Sequence, residues 1–300
     1  MEDQGQKQKR VQPEADPNKE AFDMGLRINT NMMSINAARN LRGSRMSMES
    51  TSEKLSSGFR INKSADDAAG LAISENMKGH TRSFQQASRN AQDGISFVQV
   101  AEGGMNEVGN MIIRLRELSV QAASDTIGPP ERGFLNMEAL QLKNEIERIA
   151  QGTEYNGTKL LNGSGNMLEF QIGIKNNEFQ DRIGYNPGLT DVSLKNLGLS
   201  NIDLADKRGA QNGLTNLDDS IRILNGNRAS LGALQSRLNS TINNTEVAVE
   251  NYSAAVSRIR DADISNETAS MARHQVMLQA GVSVLAQANQ NTAVALKILG

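Results

Sequence analysis

From Ala101 onward, apolar residues recur in alternating steps of four and three: Ala101, Met105, Val108, Ile112, Leu115 and, past a small Ser119, Ala122. Such spacing keeps a narrow stripe on one face of a helix, and a stripe sustained at about 3.5 residues per repeat needs a partner helix to cover it. The same period returns in Leu135, Ala139, Leu142, Ile146 and Ile149, and over a longer stretch in Leu214, Leu217, Ile221, Leu224, Leu231, Leu238, Ile242, Val249, Tyr252, Val256 and Ile259. Near the carboxy end Ile264, Met271, Leu278, Leu285 and Leu299 fall on a heptad spacing, with Val282 and Leu296 beside them. The amino end is weaker, with Ile28, Met32 and Ile35, then Leu41, Met48 and Leu55. The pattern predicts a mainly α fold: a long-helix coiled-coil rod formed by both chain ends, with a small β-hairpin region in the middle. The terminal seam is assigned to Ile28, Ile35, Leu41, Ile264, Met271, Leu278, Leu285, Leu296 and Leu299.

The five prolines stand at 13, 17, 129, 130 and 187, so long helices are allowed from Met24 to Gly128 and from Gly188 onward. Asn156-Gly157 and Asn162-Gly163 are turn dipeptides, while Leu168, Phe170 and Ile172, and later Val192 and Leu194, alternate as strands do. A hairpin or two is therefore expected over about 160–212. Ser56-Ser57-Gly58 marks a break, after which Ser64 is expected to cap a new helix with Asp66 and Asp67 at its positive end. Residues 1–23 alternate in charge and carry little to bury, so they read as a disordered extension, native or foreign to the protein, with Met24 as the start of patterned sequence.

Composition narrows the chemistry. Aromatics make up 3% of the 300 residues and there is no Cys or Trp, which suits slim aliphatic helix packing and excludes disulfides and thiolate metal sites. A net charge of -2 with both signs interspersed offers no basic stripe for nucleic acid, and no apolar run spans a membrane. The two histidines, His80 and His274, are expected to face solvent on helices. No HExxH, GxSxG or phosphate-binding glycine loop occurs. The chain is expected to have no catalytic residues, no metal and no cofactor, and not to be an enzyme.

Several segments carry a family resemblance. They are Ile28-Asn29-Thr30-Asn31, the run from Leu55 to Met77 (LSSGFRINKSADDAAGLAISENM), Ala87 to Gly94, Arg114 to Gln121 and Asn144 to Asn162. Arg228 to Asn243, Ser257 to Ala269 and the closing QANQNTAVALKIL complete the series. In this order and spacing the chain resembles bacterial flagellin, in a short form without large central surface domains. The resemblance implies a structural subunit, secreted through the flagellar export apparatus, that polymerises with copies of itself into the extracellular filament of the bacterial flagellum used for motility. It implies an inner coiled-coil domain of 24–66 plus 261–300, an outer helical domain of 67–260, and Met24 as the start. Chaperone, cap and junction proteins are implied partners. Arg114, Leu118 and Glu138 match positions in flagellins recognised by an innate Toll-like receptor. The alternatives are a hook-filament junction protein and a secreted, immune-recognised binding protein.

Overall fold

The computed structural model describes residues 30–299, with side chains through residue 290. The extension 1–23, Met24 and Ile28 lie outside the described residues, as do the side chains of Leu296 and Leu299. The chain divides into two compact units: the segment up to Asp66 together with the segment from Asp261, and Asp67–Arg260 between them.

The unit Asp67–Arg260 is built on three long helices: α2 (Ala68–Ala122), α3 (Pro129–Gly152) and α5 (Lys207–Arg260). At 55 residues α2 is about 80 Å long. It runs antiparallel to α5: Glu75 pairs with Arg260 at one end, Phe84 with Tyr252 next, and Arg116 with Asp218 toward the other. The 4-3 stripe of α2 lies in the seam, with Ala101, Met105, Val108, Ile112, Leu115, Ser119 and Ala122 all buried, facing Leu217, Leu224, Leu231 and Leu238 of α5 in the same core. Ser119 is tolerated there because its hydroxyl donates to the Leu115 carbonyl at 2.8 Å. Pro129 and Pro130 open α3 rather than break it, since the first helical turn needs no amide donors. Helix α3 returns antiparallel along α2 and adds Ala139, Ile146 and Ala150 to the core.

Two small hairpins follow. Strands β1 (Glu154–Tyr155) and β2 (Thr158–Lys159) pair around Asn156-Gly157, whose φ angles of 48° and 78° fit the tight turn that asparagine and glycine favour. This hairpin lies upstream of the expected 160–212 region. Strands β3 (Leu168–Gln171) and β4 (Arg182–Tyr185) form the second, with Leu168 opposite Tyr185 and the one-turn helix α4 (Glu178–Asp181) in the connection. Phe170 and Tyr185 both pack edge-on against Phe97 of α2.

Val192 and Leu194 form no strand. They lie in an irregular segment, and α3 fastens it with a polar edge. Asn136 Oδ1 accepts from Leu204 N at 3.1 Å, Glu147 Oε2 accepts from Leu194 N at 3.1 Å, and Lys143 Nζ donates to the Ser200 and Ile202 carbonyls at 2.8 and 3.1 Å. Burial lowers the Lys143 pKa, partly offset by the charge of Asp203. From α5, Ser220 Oγ donates to the Leu197 carbonyl at 2.6 Å. Buried backbone without a ladder is thus satisfied by side chains reaching from the helices.

The other unit is a helix pair. Helix α1 (Met32–Ser57) and helix α6 (Ile264–Leu299) run antiparallel. Asn31 Nδ2 donates to the Ala288 carbonyl at 2.8 Å at one end, and Lys54 pairs with Glu267 at 3.9 Å toward the other. Gly58 ends α1 in the left-handed region (φ 74°), its N–H donating to the Lys54 carbonyl. The Gly58 carbonyl then accepts from Ala262 N at 2.9 Å beside a Phe59–Asp261 bridge.

Asp66 and Asp67 serve different units, which corrects the expected joint helix start with Ser64 as cap. Asp67 is the cap of α2 and accepts from Gly70 N at 2.8 Å. Asp66 folds back to accept from the Lys63 and Asn62 amides, each at 3.0 Å, and these bonds lower its pKa.

Candidate assembly surfaces

In the helix pair the covered line holds mostly small or polar side chains. On α1 it runs through Ser34, Ala37, Leu41, Ser44, Met48 and Thr51; on α6 through Met271, His274, Leu278, Gly281, Leu285 and Ala288. Gly281 permits a close crossing, since a Cβ there would stand 3.0 Å from Leu41 Cδ1. Leu41, Met271, Leu278 and Leu285 are half-buried on this line. Two seam assignments are corrected: Ile35 is 45% exposed because it sits one residue off the line through Ser34 and Ala37, and Ile264 is 51% exposed although its spacing keeps it in line with Met271, because it is the first residue of α6. Val282 likewise faces outward.

Apolar side chains therefore stand on the outer faces of both helices, including Met32, Met33 and Met46 on α1 and Val276, Met277 and Val284 on α6. An open groove of about 590 Å³ runs between the helices, lined by Met33, Ala37, Asn40, Val284, Gln287 and Ala288. A two-helix layer has no further layer to cover those faces. The sequence did contain a signal for this: Ser34, Ala37, Ser44, Gly281 and Ala288 share the register of Leu41, Leu278 and Leu285, while Met33, Val276 and Val284 stand off it.

The longer unit presents a different surface. Arg114 forms a three-way cluster, bonding Glu117 at 2.9 Å on its own helix and Glu138 of α3 at 2.8 Å. Both bonds raise the arginine pKa, the one to Glu117 more. Arg116, pointing to the other flank, reaches Asp218 of α5 at 2.7 Å, and Lys207 reaches Asp125 at 2.7 Å. Hydrogen bonds from these cations lower the pKa values of Asp218 and Asp125.

Leu118 is only 1% exposed, packed in the core between the turns of Leu115 and Ala122, so it presents nothing to a partner. Its inclusion as a recognition residue is corrected; Arg114 and Glu138 alone of that set lie outside. Neither histidine faces solvent freely: both are half-buried, His80 against Tyr252 at 5.7 Å and His274 on the line between α1 and α6. Among the described residues no three His, Asp or Glu side chains converge as a metal site, and no helix is long and apolar enough to cross a membrane.

Comparison with known proteins places these features in a lineage. Residues 28–166 match the bacterial flagellin N-terminal helical region and residues 214–299 the bacterial flagellin C-terminal helical region. A flagellin from Halalkalibacterium halodurans is 41% identical over 272 residues, covering 91% of this chain and 99% of the relative. The flagellar filament 33 kDa core protein of Treponema phagedenis is 40% identical over 285 residues, covering 91% and 99%. A flagellar hook-associated protein structure from Vibrio parahaemolyticus superposes with a TM-score of 0.55 at 11% identity, covering 65% of this chain and 100% of that one. That likeness speaks to fold alone. With both terminal helical regions matched and relatives aligned nearly end to end, the chain belongs to the bacterial flagellins, the structural subunits of flagellar filaments.

Proposed function

We propose that this chain polymerises with copies of itself into an extracellular filament used for motility, with 24–66 plus 261–300 forming the inner domain and 67–260 the outer. The observation that carries this reading is the apolar outer face of the helix pair. Its inner line mixes Ser34, Ala37, Thr51, Gly281 and Ala288 with half-buried Leu41, Leu278 and Leu285, while Met33, Ile35, Val276, Val282 and Val284 face out. A contiguous apolar face of that kind calls for a neighbour, and an open filament supplies one by heterologous contact between copies.

The same reading extends to partners. A chain without cysteine carries no disulfide that would hinder threading through a narrow export channel, which fits delivery by a flagellar export apparatus with chaperone, cap and junction proteins. Recognition by a Toll-like receptor rests on the exposed Arg114–Glu138 pair without Leu118.

Purified chain seeded with filament fragments, or salted out, forms long filaments visible by electron microscopy. The double variant Ile35→Ser, Val284→Ser stays monomeric while the thermal unfolding of Asp67–Arg260 is unchanged. Persistent monomer from the unaltered chain overturns the proposal. Deletion in the source bacterium separates the junction-protein alternative, which would leave unpolymerised flagellin in the medium rather than remove the filament protein itself.

A further inference from the structure

Four Asn-Gly dipeptides occur in the chain, at 156–157, 162–163, 212–213 and 225–226. The last two lie inside α5, where helical geometry engages the glycine amide and holds the side-chain amide away from it. Asn156-Gly157 is the exposed turn of the first hairpin. Asn162-Gly163 is built differently from all three.

Asn162 Oδ1 accepts from Ser164 N at 3.0 Å and lies 2.7 Å from Ser164 Oγ, whose hydroxyl donates to it. This turn folds the asparagine side chain back along the Gly163–Ser164 backbone. Gly163 has φ 68°, carries no side chain to shield that nitrogen, and its N–H makes no hydrogen bond among the described residues. The Asp191 carboxylate stands directly against Gly163: a Cβ at residue 163 would lie 2.6 Å from Asp191 Oδ2. That carboxylate is held in place, since Oδ1 accepts from Ser193 N at 2.8 Å and the neighbouring Val192 N donates to the Leu161 carbonyl at 2.9 Å.

We infer that Asn162 is a self-modifying site, converted in the folded chain to aspartate and isoaspartate through a cyclic imide formed with Gly163. A nucleophile, an electrophile with donors on its oxygen, and a proton acceptor are juxtaposed here, and such pre-positioning removes the entropy cost of bringing them together. The Gly163 nitrogen gives its proton to the Asp191 carboxylate and bonds to Asn162 Cγ. Negative charge develops on Oδ1, where the Ser164 N–H and O–H already donate. The Cγ–Nδ2 bond then breaks, and Nδ2 leaves as ammonia with the proton returned by Asp191. Water opens the ring at either carbonyl, giving aspartate when it adds at Cγ and isoaspartate when it adds at the main-chain carbon. The product places a new carboxylate beside Asp191, next to the Leu161–Val192 bond that anchors the irregular segment.

This inference does not depend on polymerisation. The test incubates full-length chain at neutral pH, folded and in parallel in urea, and follows each of the four dipeptides by peptide mass spectrometry and released ammonia. In the folded chain the 162–163 peptide acquires the mass of an amide-to-acid exchange first, ahead of 156–157, with 212–213 and 225–226 unchanged. Folding slows the other three sites relative to urea but does not slow 162–163. Ser164→Ala and Asp191→Asn each retard 162–163 several-fold in the folded chain, leave 156–157 unaltered, and have no effect in urea. A 162–163 rate that falls on folding as the others do, or that ignores both substitutions, overturns the inference.

Discussion

The two units contain helices of similar slenderness yet solve burial in opposite ways. In Asp67–Arg260, Met105, Ile112, Leu115, Leu217, Leu231 and Leu238 are turned inward, and a third helix with two hairpins closes the remaining sides. In the helix pair the inward line mixes small or polar residues with half-buried Leu41, Leu278 and Leu285, and large apolar side chains such as Met33 and Val284 are turned outward. The first arrangement buries its apolar seams within one chain. The second leaves apolar surface available and gains little from its own pairing. A subunit made to polymerise benefits from this division, because ordering of the second region is then coupled to arrival of a neighbour.

The largest expected effect is a contrast in hydrogen exchange. In dilute monomer, core amides of α2 and α5 exchange through global opening of their unit and are strongly protected, while amides of α1 and α6 exchange at rates close to those of an unstructured peptide. In filaments both sets are protected. Strong protection of α1 and α6 in dilute monomer would show that the pair is self-sufficient and would break the comparison.

Truncation of one residue from each seam gives the next effect. Ile112→Ala removes a fully buried side chain and costs about 2–5 kcal/mol of unfolding free energy in Asp67–Arg260. Leu278→Ala, at a half-buried position, leaves the melting of the monomer almost unchanged but raises the concentration needed for polymerisation. Calorimetry paired with sedimentation of filaments reads both. Equal losses of monomer stability would contradict the division.

Lys143 tests how the irregular segment is held. Lys143→Met keeps most of the volume but leaves the Ser200 and Ile202 carbonyls without their donor, a loss of about 1–3 kcal/mol for buried acceptors. Exchange should accelerate over 194–204, with α2 and α5 unaffected; a uniform loss across the unit would show that the segment is part of the core's cooperative transition.

Much of this architecture was legible in the sequence, and the misreadings share a cause. The α2 stripe could be read because each of its positions, Ala101, Met105, Val108, Ile112, Leu115, Ser119 and Ala122, is sent inward by the 4-3 period alone. Leu118, next to Ser119 on the turn between Leu115 and Ala122, is buried beside that stripe, and only the resemblance of its segment placed it on a surface. In the helix pair, a search for large apolar residues finds Leu41, Met271, Leu278 and Leu285 on the contact line but also the exposed Ile35 and Ile264, and it passes over Ser34, Ala37, Gly281 and Ala288. Hydrophobicity marks what will be buried in the final assembly, and a single chain is not that assembly. Val192 and Leu194 alternate as a strand would, but nothing local reveals that Lys143 and Glu147, some fifty residues earlier, supply the missing hydrogen bonds. Remote side-chain anchoring leaves no period in the sequence.

The smallest effect concerns acid, and it separates the units by how much electrostatics each uses. In Asp67–Arg260 the carboxylates of Glu75, Asp125 and Asp218 have lowered pKa values because Arg260, Lys207 and Arg116 hydrogen-bond to them. In the other unit Asp66 is lowered chiefly by the Lys63 and Asn62 amides. A carboxyl with a depressed folded pKa binds fewer protons folded than unfolded, so its contribution is complete above the unfolded value and lost as pH falls through the folded one. For Asp125, Asp218 and Asp66 the loss begins near the ordinary value of 3.8 and continues below it. All four groups are solvent-exposed, so salt screens the ion pairs and each contributes little. Melting of Asp67–Arg260 should therefore shift only slightly between neutral pH and pH 5 and decline below pH 4, with added salt blunting the decline. The backbone bonds to Asp66 are local and less sensitive to salt, so Asp66→Asn should loosen the 58–66 turn equally at low and high ionic strength. A salt-sensitive Asp66 variant would mean that Lys54 and Lys63, rather than the amides, hold that carboxylate in place.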